Sequence, residues 1–177
     1  MRSFFYLLLL AALLGTAALV TRSGILARKD PGRPINSAMR EALDKKQPQW
    51  STADERELNE RFGTAHKLPS GLRYIVRAQG QGVATPTIGD EVIAHYEGRL
   101  LDGKTFDSSY RKGVPITFRV GAGAVIRGWD EAFLAMKRGE KRTLIIPHWL
   151  AYGEKGRPGS IPPKATLIFE VEMLDWR

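Results

Sequence analysis

From Leu68 onward the apolar residues of this chain recur at every second position, in run after run, and that period favours sheet. Val92, Ala94, Tyr96, Gly98 and Leu100 share one face of such a run, while Ile93, His95, Glu97 and Arg99 share the other. Leu72 to Ala78 reads as a strand, broken by Gly80-Gln81-Gly82. Asp102-Gly103 marks a hairpin, so the chain returns antiparallel from Lys104. Ile116, Phe118 and Val120 alternate with Pro115, Thr117 and Arg119. Thr143 to Ile146 is a compact buried strand stopped by Pro147, and Leu167, Phe169, Val171 and Met173 alternate with Ile168, Glu170, Glu172 and Leu174. One apolar stretch breaks the rhythm. Trp129, Phe133 and Met136 follow i, i+4, i+7, which is one face of a helix. Asp130 and Glu131 fall in its first turn, Lys137 and Arg138 in its last, and Gly139 stops it. Three turns are marginal alone, so this helix must be held by a surface that accepts a tryptophan. Five or six strands, one short helix and no βαβ rhythm give an α+β domain, an antiparallel sheet curved across the helix.

Ahead of that domain, Arg2 is followed by an uncharged apolar run from Phe4 to Val20, the pattern of a secretory leader. Gly15-Thr16-Ala17 offers a small-x-small cleavage site, but the run is nearly long enough to span a bilayer, so an uncleaved anchor is the alternative. The chain is therefore expected to be exported, either periplasmic or held to the inner membrane through residues 4–20. Residues 21–35 read as linker, and 36–46 as a weak polar helix ending before Pro48. Thr52-Ala53-Asp54-Glu55 fits a capping box for a helix reaching Phe62. Its stripe of Ala53, Leu58 and Phe62 is too narrow to found a domain and suits docking or a mobile arm. The expected division is 1–20 leader or anchor, 21–66 linker and helical extension, and 67–177 folded domain.

The absence of cysteine removes disulfides and thiolate chemistry, and His66, His95 and His148 have no metal-ligand spacing. The formal charge of +8 is spread along the chain, which reads as surface charge before nucleic-acid binding. Ser108-Ser109 has no histidine in a hydrolase pattern, and Gly121-Ala122-Gly123 is too short for a phosphate loop. What stands out is aromatic: Tyr96, Phe106, Phe118, Trp129, Tyr152 and Phe169, with Val125, Ile126 and Ile161 beside them and Asp107 at the lip. By itself Trp129 is more often core than site.

Ala94-His95-Tyr96-Glu97-Gly98, Asp102-Gly103-Lys104-Thr105-Phe106-Asp107-Ser108-Ser109 and Val125-Ile126-Arg127-Gly128-Trp129 stand in a familiar order. So do Ala151-Tyr152-Gly153 and the run from Ile161 to Phe169. Residues 67–177 resemble the FKBP-type peptidyl-prolyl isomerases, and Pro69-Ser70-Gly71-Leu72-Arg73-Tyr74 looks like bacterial members with an N-terminal extension. The resemblance implies a strongly bent antiparallel sheet wrapped around one short helix, with a proline pocket between them. Trp129 would be its floor, and Tyr96, Phe106, Phe118, Val125, Ile126 and Phe169 its walls. Tyr152 and Asp107 would supply polar contacts, with Asp107 either polarising the site or fixing Tyr96, and Ile161 would close one side. Ile116 stands where many members carry an aromatic residue, which thins that wall. Arg157 and Ser160 replace an expected histidine and aliphatic residue; with Lys155 and Arg111-Lys112 they make the rim basic. No metal or cofactor is implied. The expected partners are Pro-containing unfolded or partly folded polypeptides, exported proteins among them, and macrolide-type immunosuppressants. A proline-binding module or chaperone with little turnover is the alternative reading, although Tyr152 to Ile161 is too short to hold an inserted chaperone domain.

Overall fold

The structure is a computed structural model that describes residues 49–177. The apolar segment Phe4–Val20, the linker and the helix expected over 36–46 lie outside the described residues. Strand β3 (Glu91–Leu100) is the spine of the sheet, and its side chains alternate between buried and part-exposed as the period requires. Along one edge it pairs with β7 (Leu167–Trp176), in a register that sets Tyr96 against Val171 and Gly98 against Phe169. The other edge is shared. β5 (Ile116–Arg119) pairs with its first half and β4 (Thr105–Ser108) with its second, and the one-turn helix α2 (Ser109–Lys112) lies between them in sequence.

Beyond β7 come β6 (Lys141–Ile146), β2 (Arg73–Ala78) and β1 (His66–Lys67), all antiparallel, completing a seven-stranded sheet. The strand beyond the expected six is β1, two residues long and too short to show any period. The hairpin at Asp102-Gly103 forms as read, with Gly103 at φ 90°, where a side chain would be strained. Irregular register at Ile93/Ala94, Gly98/Arg99 and Val76/Ala78 adds local bend, as bulges do.

Helix α3 (Arg127–Phe133) packs Trp129, Ala132 and Phe133 into the core with Val92, Ala94, Tyr96, Leu144, Ile146, Phe169 and Met173. It approaches closely: a Cβ on Gly128 would sit 2.5 Å from the Ile146 side chain. The helix is two turns, not three. Ala135 and Met136 donate instead to Ala132 and Phe133, three residues back, so the ladder tightens and ends. Arg142 takes the Ala135 carbonyl at 2.6 Å and pairs with buried Glu140 at 2.6 Å, while Glu140 accepts the Lys137 N–H. Met136 is fully buried past the helix, and Lys137 and Arg138 belong to the turn into β6, not to a last helical turn.

The opposite face of the sheet has its own apolar cover. Helix α1 (Thr52–Phe62) inserts Leu58, fully buried, against Ala65 and Ile145, with Trp50, Phe62, Ile75 and Leu101 around it. Ile145 points away from Leu144 and Ile146 and would otherwise face water. Polar contacts pin the helix: Arg73, 3% exposed, reaches Glu55 and Asn59, and Thr166 donates to Asp54 at 2.6 Å. Its cap is Ser51, whose hydroxyl accepts the Asp54 N–H at 3.0 Å, one residue before the Thr52 the pattern suggested. Among the described residues no helix is long and apolar enough to cross a membrane.

Candidate functional site

Where α3 begins, the sheet and the preceding loop leave a cavity of about 190 Å³. Trp129, Phe169, Phe106 and Tyr96 line it from the helix and strands, Ile116 from β5, and Ala124, Val125 and Ile126 from the loop. Tyr152 and Asp107 are its polar members. The rings hold one another edge to face. Trp129 lies 5.0 Å from Tyr96 and 5.2 Å from Phe169, and Phe169 lies 5.5 Å from Phe106 at 90°. Phe106 and Phe169 come together because β3 has only Gly98 between them; a Cβ there would stand 2.6 Å from both rings. Donors at this cavity that other described residues do not engage include the Tyr152 hydroxyl, the Ile126 N–H and, in the floor, the Trp129 Nε1–H. Ile126 is the residue before α3, where a backbone N–H has no helical partner.

Asp107 is tied down within the protein. The Tyr96 hydroxyl donates to its Oδ2 at 2.8 Å, Lys112 pairs with its Oδ1 at 2.5 Å, and the Ser108 N–H donates to Oδ1. Lys112 also donates to the Tyr96 oxygen at 3.2 Å and sits 5.7 Å from that ring. Burial pushes the Tyr96 phenol above its ordinary pKa, and the bond to Asp107 adds to this against the opposing Lys112, so Tyr96 stays a donor. Burial also pushes the Asp107 carboxyl up, but the bonds from Lys112 and Tyr96, with the Lys112 charge and the Ser108 N–H, outweigh it and the net shift is down. Of the two expected roles for Asp107, fixing Tyr96 has these direct contacts behind it.

A pH dependence follows. With a folded pKa below its unfolded value, Asp107 contributes stability that is present above the unfolded value and lost as pH falls through the folded one. The stability gap between wild type and Asp107→Asn, measured by urea unfolding, should therefore close on acidification across that interval and not on raising pH from neutral. A gap that persists below it would break the link. The group is part-exposed, so the gap is expected to be modest.

The structure brings most of the sequence-nominated residues to one place: Tyr96, Phe106, Asp107, Ile116, Val125, Ile126, Trp129, Tyr152 and Phe169 all border the cavity. Two stand back from it. Phe118 is buried behind the floor, its ring 5.7 Å from Trp129 and 5.2 Å from Phe133, so it backs the indole without lining the cavity. Ile161, 4% exposed, belongs to the core and to the wall of a neighbouring groove. Ala124 was not nominated, and its small side chain carried no signal; its position directly before Val125 and Ile126 was the available clue. His95 bonds Ser109 at 2.9 Å and stacks on Tyr110, and Ser109 also accepts the Tyr96 N–H, so these polar groups serve the strand edge.

A family model described as FKBP-type peptidyl-prolyl cis-trans isomerase matches residues 82–174. FK506-binding protein 1A of Neurospora crassa is 51% identical over 104 residues, 59% of this chain and 87% of that protein. The FKBP-type peptidyl-prolyl cis-trans isomerase FkpA of Escherichia coli is 49% identical over 106 residues, 60% of this chain but 38% of its own length. Among solved structures, AtFKBP13 superposes with a TM-score of 0.60 at 43% identity, covering 64% of this chain and 98% of that one. FkpA from Escherichia coli does so with a TM-score of 0.64 at 40% identity, covering 80% and 65%.

Proposed function

The chain belongs to the FKBP-type peptidyl-prolyl cis-trans isomerase family, and from that premise we propose that it turns X–Pro bonds in the cavity floored by Trp129. The family binds proline-containing peptides and FK506-type ligands generally. Rotation about a peptide C–N bond faces a barrier of about 18–20 kcal/mol, because the planar amide is stabilised by resonance. No bond need be broken, so the task is to bind the twisted amide better than the planar one. A twisted amide has less charge separation and is better suited to an apolar, water-poor surface than the planar ground state is. The rings of Trp129, Phe169, Tyr96 and Phe106 provide that surface. Tyr152 and the Ile126 N–H would hold carbonyls of the peptide, and Asp107 with Lys112 keeps Tyr96 aligned.

The observation that carries this reading is an aromatic cavity bordered by Tyr152 and Ile126, whose hydroxyl and backbone N–H are engaged by no other described residue. Its test is Tyr152→Phe in a protease-coupled assay on a Pro-containing peptide. Losing one hydrogen bond of about 1–1.5 kcal/mol in the transition state should slow turnover about tenfold with the unfolding midpoint unchanged. An unchanged rate would move the substrate away from Tyr152. A wild-type domain that binds the peptide without accelerating it would favour the proline-binding module.

The cellular setting is a proposal on separate grounds. Arg2 and the uncharged run Phe4–Val20 support export to a periplasm, with clients among exported proteins in the course of folding. Fractionating the expressed chain and reading its mature N-terminus tests this. Recovery in the cytosol with Met1 or Arg2 still in place would sink it.

A further inference from the structure

Beside the aromatic cavity lies a second, larger groove of about 430 Å³. Its apolar walls are Leu100, Ile161 and the prolines 158, 162 and 163, and its charged members are Lys104, Lys155 and Arg157. Among the described residues no carboxylate lines it. None of the three cationic side chains has an ion pair or hydrogen bond among the described residues, in contrast to Lys112, Lys141, Lys164 and Arg142, which are paired. Of the neighbouring carboxylates, Glu154 pairs with Lys164 at 3.3 Å, and Asp102 accepts the Lys104 backbone N–H at 2.9 Å without reaching a groove cation. Three unpaired cations around one concavity repel each other and focus a positive potential into it.

The groove is also held in shape. Arg157 and Ile161 exchange backbone hydrogen bonds at 2.8 and 2.9 Å, which closes the tip Arg157-Pro158-Gly159-Ser160-Ile161 into a turn. Gly156 lies so close to the Pro162 carbonyl that a side chain there has no room. Two elements connect the groove to the cavity. Lys104 directly precedes β4 and lies two residues before Phe106. Tyr152 and Lys155 stand in one loop.

We propose that this groove is a specificity subsite for an acidic side chain, Asp or Glu, within a few residues of the proline held over Trp129. The proposal rests on the reading of the aromatic cavity as the isomerase site and adds the class of polypeptide that site prefers. The apolar walls would receive the backbone and methylenes of the flanking segment, and the cations its carboxylate.

The test compares octapeptide substrates that differ only by Glu against Gln, moved from three residues before the proline to three after. The assay is run on wild type and on a Lys104→Gln, Lys155→Gln, Arg157→Gln variant. All three positions are exposed, and none lines the aromatic cavity. At low ionic strength the wild type should favour Glu over Gln in kcat/KM by about fivefold at one or two positions, as partly screened ion pairs allow. The triple variant should show a ratio near one while turning over the Gln peptides at the wild-type rate, and 0.5 M salt (an assay condition of roughly 4 Å Debye length) should flatten the wild-type ratio too. A wild-type ratio near one at every position, or a preference that survives the triple variant, overturns the proposal. Failure of wild type to accelerate any peptide would instead overturn the isomerase reading, so the two failures are distinct.

Discussion

Replacing Trp129 with alanine should cost about 3–5 kcal/mol of stability and abolish measurable prolyl turnover. The indole is 4% exposed and in ring contact with Tyr96, Phe118, Phe133 and Phe169, so its removal leaves a void where four aromatic side chains meet. Small domains have about 5–15 kcal/mol in total, so most of the margin would go, and the alanine variant alone would confound folding with function. Trp129→Leu separates them. Leucine refills part of the void, and it also removes the Trp129 Nε1–H, which is buried without a partner among the described residues and therefore a cost in the folded state. The leucine variant should unfold cooperatively, with a loss smaller than the alanine variant's, and still lose most of its kcat/KM because the flat apolar floor is gone. Wild-type turnover in a folded leucine variant would take the indole out of the site.

How much of this was legible beforehand depends on whether a feature repeats along the chain. Period-two runs placed β3, β5 and β7, the Asp102-Gly103 hairpin signal placed β4 and a compact apolar run placed β6; the face carrying Tyr96 and Gly98 is the one that turned inward, because alternation is set by strand geometry alone. The cavity was legible for a different reason: its residues come in short interlocking motifs that match a family, while Trp129 alone pointed to core as readily as to site. What was not legible depends on contacts across the fold. The stop of α3 at Phe133 goes with Arg142 of β6 taking the Ala135 carbonyl and Glu140, just before β6, taking the Lys137 N–H, so the apolar spacing that continued to Met136 could not show it. The cap at Ser51 over Thr52 is a choice between adjacent good caps. Phe118 and Ile161 are apolar and near the site in sequence terms, yet strand β5 turns the first behind the indole, and the 157–161 turn directs the second into the core beside the basic groove. Docking of α1 centres on one fully buried leucine of its own and on partners supplied by other strands, such as Arg73 of β2, too little pattern in the helix to separate a docked helix from a free arm.

The second large effect is expected at a residue with no side chain. Gly98 pairs with Phe169 on β7 and Asp107 on β4, in a stretch where the register slips, and the Phe106 and Phe169 rings meet over its open face. An added methyl would lie 2.6 Å from each ring, closer than packed carbons can come, so at least one must move. Phe169 is 3% exposed and braced by Trp129 and Tyr96, whereas Phe106 is only half-buried, so Phe106 is the one to be displaced. Overpacking of this kind costs about 1–3 kcal/mol, which the fold should survive. The site should not survive as well: displacing a wall ring by about 1 Å can lower the rate about 100-fold when geometry controls the barrier. Gly98→Ala should therefore show a moderate fall in urea midpoint together with a loss of roughly two orders of magnitude in kcat/KM. The combination discriminates, because a purely structural glycine would lower the midpoint and leave kcat/KM of the folded fraction intact. That second result would mean that Phe106 and Phe169 close the core without shaping the path of the prolyl bond.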